Sequence, residues 1–293
     1  MQTRHILLAI LIAAVWGVNF VAAKWAVTDF SPFLANTVRF SIVAVVFLPF
    51  LKIVKGRMRI LILTAFLLGV AHFGVTYWAV AISGGVGAVA IASQLSVPFS
   101  TILAVLFLGE SVGWKRVAGV AVSFAGILVM GFDPVIFSYW QGLFLMAIAA
   151  LLFSVSSILM RSLKDVPVTT VQAWIGLVAM IGSGVLSLIF ETEQVARILS
   201  AREEAWLGIV FSALGSSVIG HGLANYLFSK YEVTVVAPYF LIVPLFAVSA
   251  GVLMLGEVVT ERLAFGGFLT VLGVLVVTLR NKARHVERAD AAG

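Results

Sequence analysis

Cysteine is absent from this 293-residue chain, which excludes disulfides, thiolate metal ligands and cysteine nucleophiles. Charge is nearly as scarce: Asp, Glu, Lys and Arg make up 11% of the residues, where an ordinary soluble domain carries about 25%. None of the carboxylates falls deep inside an apolar run. Ionised groups at membrane depth are costly and, where present, usually functional, so there is no acidic proton relay to build. HExxH, GxSxG and any in-span aspartate are also missing, which argues against an intramembrane hydrolase or protease. No enzyme activity, cofactor or metal is expected.

Apolar surface takes the place of charge. The chain is 62% hydrophobic with a mean hydropathy of +1.14, more than a fold of this length hides from water, and lipid is the expected solvent. The net charge of +6 suggests nucleic acid in a soluble protein. Here the basic residues sit in short breaks between apolar runs, so the bilayer is the expected partner and nucleic acid is not. The N-terminal MQTRHILLAILIAAVWG combines a basic start with an apolar run, as a signal peptide does. The apolar pattern simply continues after it, and it reads as a retained first span.

Cutting at the turn-like breaks DFSP (29–32), SGG (83–85), FDP (132–134) and KDVP (164–167) gives ten segments close to the roughly 20 residues a spanning helix needs. They run over 5–27, 33–52, 60–82, 85–107, 113–131, 140–162, 168–190, 205–228, 233–255 and 261–280. With the N-terminus in the cytoplasm, the inner breaks hold Arg4, Lys52, Lys55, Arg57, Arg59, Lys115, Arg116, Arg161, Lys164, Lys230, Arg280, Lys282, Arg284 and Arg288. The outer breaks hold only Arg197, Arg202 and Arg262. The positive-inside rule then places both termini inside.

The chain also repeats itself. A shift of 147 lays VLFLGESV (105–112) over VLMLGEVV (252–259), and Gly119 and Gly126 over Gly266 and Gly273. Pro98 and Pro244 differ by 146, and Pro32 aligns with Pro167 at a smaller shift. Five spans per half is an odd number, so the second half enters from the opposite side. An all-α integral membrane protein of ten helices in two inverted five-helix repeats is expected, with domains 1–135 and 136–280 and a basic cytoplasmic tail at 281–293. Secondary transporters are commonly built this way, with substrate near the midplane between the halves.

Two five-helix halves with an apolar span ending in Leu-Gly-Glu, together with AAVWGVNFVAAKWAV and KYEVTVVAPYFLIVP, resemble the drug/metabolite transporter superfamily, specifically the amino-acid and metabolite exporters of its EamA family. The resemblance covers nearly the whole chain. It implies a bacterial multi-pass inner-membrane exporter with a cavity lined mainly by spans 1, 3, 4, 6, 8 and 9. Small four-helix multidrug exporters of the superfamily carry a glutamate in the first span, where this chain has Trp16 and Asn19. That departure disfavours a dedicated cation/proton antiporter.

Polar and aromatic side chains in mid-span are the candidates for substrate contact: Trp16, Asn19, His72, Tyr77, Trp78, Ser93, Gln94, Ser154, Ser157, His221, Asn225 and Tyr239. For the serines the plain alternative is interhelical glue; for Tyr77 and Trp78 it is the interfacial aromatic belt. Lys24 and Arg39 are the cations within spans. Both are expected to snorkel towards the headgroups, with Lys24 as a possible contact for a substrate anion. Pro98 and Pro244 are candidate hinges, Glu110 and Glu257 candidate caps on the start of the next span, and the glycine pairs candidate packing faces. A neutral, aromatic and amide-bearing midplane suits zwitterions with an apolar part. The expected function is export of small organic solutes, aromatic or other neutral amino acids and related metabolites first, by alternating access. A broad drug exporter is the alternative, ahead of a carrier of phosphorylated or nucleotide-sugar metabolites.

Overall fold

The computed structural model describes residues 1–108, 113–231 and 236–290, apart from the side chains at 108, 116, 131, 225, 228, 229, 237, 238 and 280–290. Glu110 therefore lies outside the described residues. Among the described residues there is helix and turn but no strand, as hydrocarbon requires when each backbone polar group must be satisfied within its own segment. In chain order the apolar helices are α1 (Thr3–Asp29), α2 (Pro32–Phe50), α3 (Met58–Ile82), α4 (Val86–Phe107), α5 (Val117–Met130), α6 (Trp140–Leu163), α7 (Val168–Phe190), α8 (Glu203–Ala224), α9 (Tyr239–Leu255) and α10 (Glu261–Leu279). Eight are long and apolar enough to cross a membrane; α5 and α9 are shorter. Large apolar side chains face outward, Leu188 and Leu253 being 75% and 84% exposed, which is tolerable only against lipid.

Several helices depart from the straight spans the sequence suggests. α3 is π-helical over Phe66–His72 and α8 over Phe211–Gly220, wide turns that recur at functional sites. α4 is broken between Ser93 and Ser96. Pro98 has no N–H for the Gln94 carbonyl four residues back, and the Val97 amide donates to that carbonyl instead, at 3.1 Å. A 3₁₀ stretch, Ala237–Ile242, leads into α9, which becomes α-helical at Val243. Pro244 stands to Phe240 as Pro98 stands to Gln94. Short helices at Pro134–Phe137 and Gln194–Ser200 are additions that the hydropathy pattern does not reveal.

Backbone contact between α5 and α10 explains the spaced glycines. A Cβ on Gly126 would lie 2.5 Å from the Gly266 carbonyl oxygen, and one on Gly273 would lie 2.5 Å from that of Gly119. Midway, the Ser123 hydroxyl donates to the Thr270 carbonyl at 3.5 Å, and the Thr270 hydroxyl to the Ser123 carbonyl at 3.4 Å. Between α2 and α7 the Asn36 amide donates to Ser183 Oγ at 2.7 Å, and also to the Gly69 carbonyl at 2.9 Å. Each of these two residue pairs is separated by 147 positions.

The Leu-Gly-Glu triplet at the end of α9 works as a unit. Gly256 adopts the left-handed conformation (φ 69°), which side chains disfavour and helix C-termini use. The Glu257 amide then returns to the Gly251 carbonyl at 3.1 Å. The Glu257 carboxylate accepts from the amides of Val86 (2.5 Å) and Gly87 (3.2 Å) at the start of α4, satisfying two of that helix's orphan donors. The cap is therefore real but lies on a helix of the other half, where the sequence pointed to the next span. Gly251 has to lack a side chain, since a Cβ there would sit 2.7 Å from Glu257 Oε2.

The candidate substrate cavity

A cavity of about 370 Å³ opens where α1, α2, α3, α4, α6, α8 and α9 converge, with Thr278 of α10 at one margin. The volume falls within the range of small-molecule sites. Its walls are largely apolar, with Phe20, Phe73, Met146, Phe153 and Phe240 among them.

Seven of the residues singled out in the sequence line it: Trp16, Asn19, His72, Tyr77, Ser93, Gln94 and His221. The Trp16 ring packs against His221 (centroids 5.1 Å apart) and Phe240 (4.8 Å), and its indole N–H points to the Ser216 carbonyl at 3.4 Å. A side chain at Gly220 would collide with that indole, so the π-helical stretch of α8 and its terminal glycine make room for Trp16. His72 ends the π-helical stretch of α3, and its Nδ1 donates to the Ala149 carbonyl of α6 at 2.8 Å. Gln94, at the break in α4, donates from Nε2 to the Phe240 carbonyl of α9 at 3.5 Å. The two proline-induced irregularities therefore meet at the cavity wall. Ser93 turns its hydroxyl back to the Ala90 carbonyl at 2.7 Å.

The other candidates lie elsewhere. Trp78 is on the outer side, 45% exposed and packed near Phe33. Ser154 donates to the carbonyls of Ser96 and Ala150, both at 2.8 Å, joining α6 to α4, whereas Ser157 donates back to that of Phe153 within α6. Tyr239 packs on the apolar cluster around Ala9, Ile12 and Leu227. The Asn225 side chain lies outside the described residues. Pro98 and Pro244 stand one turn beyond the lining residues Gln94 and Phe240.

The geometry shows what holds each cation. The Lys24 ammonium caps the C-terminal end of α3, donating to the carbonyls of Ser83 (2.7 Å), Val80 (3.0 Å) and Ala81 (3.4 Å), and it is not among the cavity residues. Arg39 does not snorkel. It is 1% exposed and lines the cavity. Its Nη2 and Nε donate to Ser217 Oγ at 2.9 and 3.3 Å. The guanidinium carbon lies 4.5 Å from the centroid of Phe73, 5.2 Å from Phe40 and 5.9 Å from Tyr77, a cation–π enclosure. Among the described residues the ion pairs are Asp29–Arg202 (2.8 Å) and Arg57–Asp165 (3.7 Å), so none neutralises Arg39. Two polar atoms of the cavity residues are also buried without a hydrogen-bond partner: Asn19 Oδ1 and the Tyr77 hydroxyl.

The architecture has known counterparts. A "Probable amino-acid metabolite efflux pump" of Escherichia coli (strain K12) is 24% identical over 284 residues, covering 94% of this chain and 95% of that protein. A protein of the same description from Salmonella typhimurium is 23% identical over 291 residues, covering 97% of both. A "Probable terminal-alkyne amino-acid exporter" of Streptantibioticus cattleyicolor is 25% identical over 193 residues, 64% of this chain and 63% of its own length. One solved crystal structure shares the fold with a TM-score of 0.64 at 19% identity, covering 98% of this chain and 100% of that one. The EamA-like transporter family model matches twice, over residues 3–132 and 140–279. This multi-pass membrane protein belongs to the EamA-like transporter family.

Proposed function

We propose that the chain is a secondary exporter of small organic solutes, amino acids and related metabolites first, and that it works by alternating access around the central cavity. The observation that carries this reading is the cavity itself: an apolar and aromatic chamber of about 370 Å³ with a few convergent polar groups, lined by residues from both halves of the chain. Apolar walls receive a side chain while amide, hydroxyl and guanidinium groups orient a polar end. The descriptions of the E. coli and S. cattleyicolor relatives point the same way.

In this reading ten helices form two inverted five-helix repeats, 1–135 and 136–280, with a cytoplasmic tail at 281–293, both termini inside and the protein in the bacterial inner membrane. Support comes from the double family match and from the contact between Ser123 and Thr270, 147 positions apart in the part of the chain that repeats at that shift. A two-fold axis brings a residue next to its own counterpart only where the axis passes, and this pair is what such a point would look like. The lining residues Trp16, Asn19, His72, Tyr77, Ser93, Gln94 and His221 are the proposed substrate contacts, and Pro98 and Pro244 the proposed hinges. Purified protein in liposomes, loaded with a labelled panel of neutral and aromatic amino acids, is expected to show saturable, counterflow-competent flux. Flux that fails to saturate, or is absent for the whole panel, rejects the reading.

A further inference from the structure

Resting on that transporter reading, we infer that Arg39 is the anchor for a substrate carboxylate, so that the cavity selects solutes bearing one carboxylate and rejects those whose only charge is positive. The observation is an uncompensated cation in a place that should not tolerate one. A guanidinium taken out of water needs a counter-charge or a full set of hydrogen bonds. Arg39 is 1% exposed, and its hydrogen bonds reach one neutral hydroxyl, Ser217 Oγ. No carboxylate pairs with it among the described residues. Three aromatic rings share the burden, at about 0.5–2 kcal/mol for such a contact, a weaker partner than a bidentate carboxylate. The planar fork of an arginine presents paired donors that match a carboxylate, which is the form in which a ligand would complete the group's coordination.

The surroundings agree with that ligand. Asn19 Oδ1 and the Tyr77 hydroxyl, both on residues lining the same cavity, are buried and unpartnered. The amide oxygen accepts from an ammonium and the phenol completes a polar end, while Phe20, Phe153 and Met146 receive an apolar side chain. A lone cation suits one carboxylate and offers too little for the several charges of a nucleotide sugar. In a low-dielectric chamber the same charge repels a cationic drug.

The test uses purified full-length protein and four probes of similar size: L-phenylalanine, 3-phenylpropionate, L-phenylalaninamide and phenethylamine. Binding is followed by equilibrium dialysis of labelled probe. The two carboxylates are expected to bind and the two cations to bind at least about tenfold more weakly, a factor equal to the loss of one charge-assisted bond. In Arg39→Gln the carboxylates should weaken by about the same factor while the amide and amine hold or improve, and Arg39→Lys should restore part of the preference. This comparison of acid with amide on the wild-type protein needs no variant, so a misfolded Arg39→Gln does not remove the test. Equal binding of acid and amide by the wild type overturns the inference, as does unchanged acid binding in a monodisperse Arg39→Gln. Wild-type protein that transports amino acids but shows no acid preference leaves the exporter reading standing without this anchor. A wild type that binds none of the four probes and carries no amino acid removes both.

Discussion

At the scale of single residues, Asp133 shows how this protein handles the few carboxylates it has. It is 3% exposed in the turn after α5, where its Oδ2 accepts from the Thr260 hydroxyl at 2.6 Å and its Oδ1 from the Val135 amide at 2.9 Å. The Thr260 bond, helped by local amides and by Arg262, holds its pKa below the ordinary carboxylate value against the opposing effect of burial. A folded-state pKa below the unfolded one stabilises at pH values above the ordinary carboxylate range, and the contribution is lost as pH falls through the lowered value. Thr260→Val is therefore expected to raise the Asp133 pKa and to move the onset of acid destabilisation to higher pH. Thermal unfolding in detergent across a descending pH series reads this directly; superimposable wild-type and variant profiles refute it. Arg39 carries the opposite lesson. Its sequence position placed it inside a span, yet nothing indicated which way it turned, because α2 is apolar around most of its circumference. A helix without a polar face gives no rotational phase, and snorkelling was then the default.

At the scale of elements, the visible signals were the breakers. Pro98, Pro244 and Leu-Gly-Glu stand out against leucine and valine, and the structure gives each a backbone consequence: a broken α4, a 3₁₀ entry to α9, and a left-handed turn that aims Glu257 at α4. The π-helical stretches of α3 and α8 were not legible, since an extra residue in one turn is decided by packing against neighbours rather than by residue type. Those stretches position His72 and make room for Trp16, so part of the site was invisible for the same reason. Pro98→Ala gives residue 98 an amide able to bond the Gln94 carbonyl and close the break. An interior proline costs a helix about 3 kcal/mol, so the variant should unfold at the same or a higher temperature than wild type. Its amino-acid flux should fall several-fold, because the bend beside the cavity is lost. Full flux in a well-folded Pro98→Ala would show that the bend serves packing alone.

At the scale of the whole molecule, two of the contacts that join the first 135 residues to the rest differ sharply in kind. One is the α5–α10 pair, where backbone meets backbone at Gly126/Gly266 and Gly119/Gly273. The other is a polar latch where α1 ends, with Asp29 accepting from Arg202 Nη2 at 2.8 Å and from the Arg202 amide at 2.8 Å. If the halves rock as proposed, one of these contacts persists while the other opens. A disulfide between Ser123→Cys and Thr270→Cys should leave flux near wild type, whereas one between Asp29→Cys and Arg202→Cys should abolish it until reduced. The reverse pattern would place the moving surface at α5–α10. The close approach of α5 and α10 was legible from the spaced glycines, because backbone approach depends on residue type. Which polar side chains met between helices, such as Asn36 with Ser183, needed the fold.

The carboxylate of Glu257 leads further. It follows α9 in the second half of the chain and caps a helix that begins in the first, so the first half does not complete the start of α4 on its own. The first half expressed alone would begin α4 with the Val86 and Gly87 amides deprived of that acceptor. One side chain thus makes the start of a helix in the first half depend on the second.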